Sequence, residues 1–225
     1  MFSSIWHTFF FDPVYNTLVF FIGIIPGGDV GLAIIATVLL VKTILLPLSI
    51  KAVKTQKVMK EIEPKLKEIR KKHSDDRQKQ AEAMMEIYRE AGMNPLASVF
   101  LLLIQIPIVI ALYFSVSTGG GVSLPDINVD LLYSFVDGSV VATMNFLGLL
   151  DISERSLMLA VAAGVTQYIH INFTMPKLPP RDPDATPDMK EDLMRNMQTQ
   201  MRYVMPVIIT IAAYVISASI ALYFL

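Results

Sequence analysis

Apolar residues in this chain gather into long uninterrupted runs instead of alternating with polar ones. The clearest run, Gly31 to Leu48, carries a single charge, Lys42. A run of that length predicts a membrane-spanning helix over about residues 30–50. A second span is predicted at 95–117, with Gln105-Ile106-Pro107 in its middle, and a third at 155–175, with Gln167, His170 and Asn172 towards its far half. A fourth follows at 203–216. A fifth begins at 217–225 and closes at Leu225 without cap, charge or turn, so the natural chain is expected to continue.

Ahead of these spans, Trp6 to Ile25 is aromatic-rich and broken by Asp12-Pro13 and Asn16. Its unbroken apolar part, Leu18 to Ile25, is too short to cross a bilayer. Residues 1–29 therefore read as an amphipathic segment in the outer interface, anchored by Trp6 and Phe9–Phe11. Pro26-Gly27-Gly28-Asp29 is a turn that redirects the chain into span 1.

The polar pattern changes between 51 and 94. Val58, Ile62, Leu66 and Ile69 recur at spacings of four and three among lysines and glutamates, and a second stripe follows at Ala81, Met84, Met85 and Tyr88. Ser74-Asp75-Asp76 reads as a turn and N-cap between the two, and Gly92 as a stop. Two amphipathic helices joined by a short turn make an antiparallel hairpin. The plainest reading of the stripes is that they cover each other. The basic outer face is freer to meet lipid head groups or a partner.

Composition agrees with a polytopic membrane protein: 53% of the 225 residues are hydrophobic and mean hydropathy is +0.52. The net charge of -1 conceals segregation. Of 19 Lys and Arg, 12 lie between Lys51 and Arg89 and five between Lys177 and Arg202. By the positive-inside rule 51–94 and the proline-rich 176–202 are cytoplasmic, while 1–29 and the loop 118–154 are outside. No Lys or Arg precedes residue 42, so the start lacks the basic region of a signal peptide, and no cysteine is present.

Catalytic signatures are absent, and the scattered His7, His73 and His170 give no metal motif, so neither an enzyme nor a cofactor is expected. The hairpin balances its lysines with eight acidic residues and has no aromatic interleaving, which argues against sequence-specific nucleic-acid binding. What remains is polar groups at membrane depth: Lys42 and Thr43 in span 1, Gln105 in span 2, Gln167 and His170 in span 3. A lysine near the centre of a span costs roughly 2.5–3.5 kcal/mol on insertion scales. Pro47 and Pro107 leave the Thr43 and Leu103 carbonyls without their helical donors. Together these groups suit a wet groove open to the cytoplasm. The alternative is that Lys42 snorkels towards Lys51, about 13 Å away along the helix, while the glutamines bond between helices.

The order of features resembles the YidC/Oxa family of membrane protein insertases. The resemblance is carried by a cation followed by Leu45-Leu46-Pro47-Leu48, the basic hairpin, and Asn94-Pro95-Leu96-Ala97 running into Leu101-Leu-Leu-Ile-Gln105-Ile-Pro107. Asn145-Phe-Leu-Gly-Leu-Leu-Asp151-Ile-Ser153 and Met205-Pro206-Val-Ile add to it. It covers about residues 5–225 and implies an all-α fold, a five-helix transmembrane core with an N-terminal interfacial helix and a cytoplasmic helical hairpin. It further implies a bacterial inner-membrane insertase and chaperone, N-terminus outside, whose groove is open to cytoplasm and lipid. Lys42, Thr43, Gln105 and Gln167 would line that groove. Substrate helices would slide past Ile106, Pro107, Val109, Met205 and Pro206, after reception by a hairpin built on Ile62, Leu66, Ile69, Met84, Met85 and Tyr88. Partners would be nascent membrane proteins and lipid, with a ribosome and a Sec-type translocon as further candidates.

Two departures stand out. The family's groove cation is usually arginine, and Lys42 keeps the charge without the bidentate fork. Ser217-Ala218-Ser219 replaces the Pro-Ser-Gly-type break of many members. Competing readings are a small-anion transporter or channel using Lys42, which would need a route through both leaflets, and a structural subunit without activity of its own.

Overall fold

The computed structural model describes residues 2–73, 76–92, 96–117, 121–174, 195–216 and 218–225. It is mostly helical, with a long irregular loop over 121–156 that carries one short β-hairpin, and it divides into two compact units, Met1–Leu39 with Val109–Leu225, and Leu40–Ile108. The Pro176–Pro187 loop, Ser217, Asn94-Pro95 and Ser74-Asp75 lie outside the described residues.

In the first unit the chain opens with helix α1 (Phe2–Trp6), a π turn (His7–Phe11) and helix α2 (Asp12–Ile24). The expected break at Asp12-Pro13 does not occur. The Asp12 N–H reaches back five residues to the His7 carbonyl, and this π turn leads without a break into α2, whose first turn carries Pro13. Asn16 does not interrupt the helix either. It is buried, and its Nδ2 donates to the Asp12 carbonyl at 2.8 Å and the Leu131 carbonyl at 2.9 Å, while its Oδ1 accepts from the Tyr133 N–H at 2.6 Å. The Tyr15 hydroxyl accepts from the Asn128 N–H at 2.8 Å. Phe11, Tyr15 and Val19 close a small core with Val136, joined by Trp6, Leu131, Leu132 and Val140.

The loop that covers α2 then fastens to the start of helix α3 (Val30–Lys72). Thr143 donates its N–H to the Gly28 carbonyl at 2.8 Å and accepts from the Val30 N–H at 3.0 Å. Gly28 sits at φ +62, and a Cβ there would collide with the Val141 carbonyl, so the approach requires glycine. Asp29, buried, accepts from the Leu32 N–H at 3.0 Å through one oxygen and from the Leu147 N–H at 2.7 Å through the other. Leu147 and Gly148 turn a two-stranded antiparallel hairpin, β1 (Asn145–Phe146) and β2 (Leu150–Asp151), with both residues at positive φ. The Phe146 ring lies where a Cβ on Gly31 would be. Just beyond the hairpin, the Ser153 hydroxyl and N–H hold the Asp151 carboxyl below the usual carboxylate range.

Helix α6 (Leu157–Thr174) packs along α7 (Met205–Ile216) and α8 (Ala218–Phe224). Small side chains form the seam: Ala160, Ala163 and Gly164 are buried on α6, and Pro206 and Ala213 on α7. Without water to drive association, membrane helices gain from this close approach. A second π turn, Gln200–Val204, continues into α7, so that Arg195–Ile216 is one helical run.

In the second unit, α3 passes both Pro47 and Pro64 without ending, and it joins the predicted span 1 to the first hairpin arm as one helix of 43 residues. Ile62 and Leu66 are buried on it and Ile69 is half-buried. Helix α4 (Arg77–Glu90) starts at Asp76, whose carboxylate accepts from the Gln78 and Lys79 N–H groups, each at 3.1 Å. Those bonds, with the Lys79 ammonium at 3.3 Å, keep the Asp76 carboxyl below the usual range. Gly92, at φ +61, follows the C-cap. Helix α5 (Leu96–Ser117) contains Pro107. By length and composition, Val30–Met59 and Arg195–Ile216 are the two helical runs among the described residues able to cross a membrane, with Leu103–Ser117 and Leu157–Phe173 as shorter apolar helices.

Candidate functional site

The segment of α3 around Lys42 is exposed on most of its circumference. Leu39, Leu40, Lys42, Thr43, Ile44, Leu46, Pro47 and Ile50 all stand at the surface, and Ile44 is 66% exposed. An apolar helix bare on nearly every side needs a non-aqueous medium on some of them. Lys42 and Thr43 mark the sector where polar groups break that surface, and Pro47, one turn on, has no N–H of its own to donate. One turn further on, the Ser49 hydroxyl donates to the Leu45 carbonyl at 3.1 Å.

On α5 of the same unit, Gln105 is half-buried, Ile106 is 48% exposed and Pro107 is half-buried. Val109 and the rest of α5 belong to the first unit, where Val109 is half-buried. The α5 candidates thus split into a shielded amide and a bare aliphatic neighbour one residue on.

In the first unit the remaining candidates separate by face. Gln167 is half-buried and falls on the same helical stripe as Ala160, Ala163, Gly164 and Ile171. A Cβ on Gly164 would meet the Thr210 hydroxyl, so that stripe faces α7. Gln167 therefore belongs to the helix seam, the position expected of an amide that bonds between helices. Pro206 is buried in the same seam, whereas Met205 beside it is 38% exposed. Met201, Met205 and Ile208 form an exposed stripe at spacings of four and three. Sequence periodicity alone did not single out Met201, at the polar end of the run beside Gln200 and Arg202, or Ile208, whose neighbours Val207 and Ile209 are equally apolar.

The hairpin candidates also separate. Ile62 and Leu66 are buried, Ile69, Met84 and Tyr88 are half-buried, and Met85 is 60% exposed. On α4 the sheltered face is Ala83, Met84, Ile87 and Tyr88, one step round from the predicted stripe.

Sequence reasoning misses the outer fastening: it leaves Tyr15 in the interfacial segment, makes Asn16 a break in that segment and places Asp29 in a turn. A signal was present for Asp29, an acidic residue directly before an apolar helix, where an N-cap belongs. Among the described residues no group of three or more His, Cys, Asp or Glu could hold a metal. His7 instead meets Asp12, Nδ1 to Oδ1, at 2.9 Å.

Comparison with known proteins matches residues 21–225 to the family described as 60Kd inner membrane protein. A membrane protein insertase YidC of Oceanobacillus iheyensis is 33% identical over 226 residues, covering 98% of this chain and 78% of that protein. One from Clostridium tetani is 34% identical, covering 64% of this chain and 56% of its own length. A third, from Psychromonas ingrahamii, is 42% identical but shares only 49% of this chain and 19% of its own length.

Proposed function

The chain belongs to the YidC/Oxa family of membrane protein insertases, and on that premise we propose that it inserts short-tailed membrane proteins through a half-wet groove in the bacterial inner membrane. The observation that carries the groove is the exposed pair Lys42 and Thr43 on an otherwise apolar, exposed stretch of α3. The alternation of basic and acidic segments supports a topology with the hairpin cytoplasmic and the N-terminus outside.

The hairpin helices α3 and α4 receive the nascent apolar segment near the cytoplasmic surface. The substrate's short polar tail then enters the groove, where the Lys42 ammonium attracts its carboxylates and Gln105 offers hydrogen bonds. A groove wet for half its depth shortens the apolar barrier that the tail must cross. The substrate's own span moves out past exposed aliphatic side chains such as Ile106, and its burial in lipid at about 25 cal/mol per Å² drives the step. The membrane potential, negative inside, favours export of each acidic charge by roughly 2.3 kcal/mol per 100 mV. No nucleotide is needed. Nascent membrane proteins and lipid are the partners, and a ribosome or Sec-type translocon would deliver substrates.

The test is reconstitution of the full chain in liposomes with a small single-spanning substrate bearing an acidic outer tail, scored by protease protection. Insertion without leakage of small anions supports this reading. Anion flux without insertion would favour a transporter.

A further inference from the structure

We propose that the tip of the outer β-hairpin, Leu147-Gly148-Leu149, dips into the outer leaflet and anchors the outside loop to lipid. The proposal rests on the reading that α3 crosses the membrane with its Asp29 end outside.

Position is the first argument. The Leu147 N–H is bonded to the Asp29 carboxylate at 2.7 Å, and Phe146 packs where a Cβ on Gly31 would be. The tip is therefore held level with the first turn of the membrane helix, where hydrocarbon gives way to head groups.

Exposure is the second argument. Leu147 is 57% and Leu149 79% exposed, although both belong to a loop with a core of its own. The turn conformation enforces this: Leu147 is the described non-glycine residue at positive φ, and with Gly148 it closes the tight turn, sealed by the Leu149 N–H on the Phe146 carbonyl at 2.9 Å. A leucine in a left-handed conformation is unfavourable, and a glycine or asparagine would serve the turn better. A leucine there exposes apolar surface that the turn itself does not require.

Charge is the third argument. No ionisable residue occurs from Val140 to Leu150, while Asp151, Glu154 and Arg155 follow immediately. An uncharged apolar tip rimmed by charges matches the depth profile of a membrane interface.

The full chain is placed in nanodiscs of phosphatidylcholine and phosphatidylglycerol, whose two faces are both open to solvent. Trp6 is the only tryptophan, so Trp6→Phe gives a silent background for Leu149→Trp. The introduced indole is expected to emit at short wavelength, to be quenched by a spin label near the head groups, and to resist aqueous iodide. Quenching by iodide and not by the lipid label would overturn the proposal. So would protection from both quenchers, which would mean that a second copy or another protein covers the tip. Leu147→Trp repeats the measurement should the first variant fail to fold. Leu40→Trp, about 15 Å further along α3, separates the two readings. If it is quenched by a label deep in the chains while position 149 is not quenched by lipid, the anchor is wrong and the span stands. If position 40 is not quenched by lipid, the span reading itself fails.

Discussion

The Asp29 carboxylate bonds the Leu147 N–H at 2.7 Å across 118 residues of chain, while its other oxygen caps the first turn of α3 at Leu32. One buried side chain thus starts helix α3 and fastens the loop that carries the β-hairpin to it. Asp29→Ala should cost about 1–3 kcal/mol, a lost cap plus an orphaned donor. Asp29→Asn should cost less, because an amide still offers one acceptor. Limited proteolysis of the outer loop in detergent should show faster cleavage in the order wild type, Asn, Ala.

Gly164 and Thr210 set how close α6 and α7 approach, since a Cβ on Gly164 would overlap the Thr210 hydroxyl. Gly164→Ala should lower thermal stability by roughly 1–3 kcal/mol through overpacking. Thr210→Ala should partly rescue it by removing that hydroxyl. The coupling in a double-mutant cycle is the measurement, and strict additivity would show that the two residues do not meet.

Exposure predicts which positions touch a passing substrate helix. A photo-crosslinking group at Ile106, Met205 or Ile208 should capture a stalled substrate span. The same group at Pro206, buried in the α6 seam, should not.

Within the hairpin, Leu66→Ala should destabilise by roughly 2–4 kcal/mol because Leu66 is 4% exposed, less if the cavity collapses. Met85→Ala, at an exposed site, should leave thermal unfolding nearly unchanged while weakening any substrate contact made there. Circular dichroism and crosslinking yield separate the two effects.

What could be read in the sequence follows from range. The α4 cap at Asp76 and the stop at Gly92 rest on bonds two to four residues long, and local pattern revealed both. The apolar run from Gly31 likewise announced a helix long and apolar enough to cross a membrane. Asn16 misled because its partners, Leu131 and Tyr133, lie more than a hundred residues away. As a helix breaker it is a local propensity, and as a buried fastener it is a tertiary contact that overrides that propensity. The Asp12-Pro13 break failed for a related reason: a π turn supplies the geometry that proline needs, and no composition rule announces one. On α7, uniform apolarity erased the period that would have told the exposed Met205 from the buried Pro206.

The central claim is that the Lys42 charge draws acidic tails into the membrane. It is tested by inserting an acidic-tailed substrate into liposomes with wild type, Lys42→Arg and Lys42→Ala, each scored by protease protection. The account predicts that wild type and Lys42→Arg insert alike while Lys42→Ala falls roughly tenfold, the loss expected when about 1.4 kcal/mol of attraction is removed. A neutral-tailed substrate should show little difference among the three. Equal insertion of the acidic tail by all three proteins would contradict the account and leave Lys42 a lysine that only snorkels to the surface.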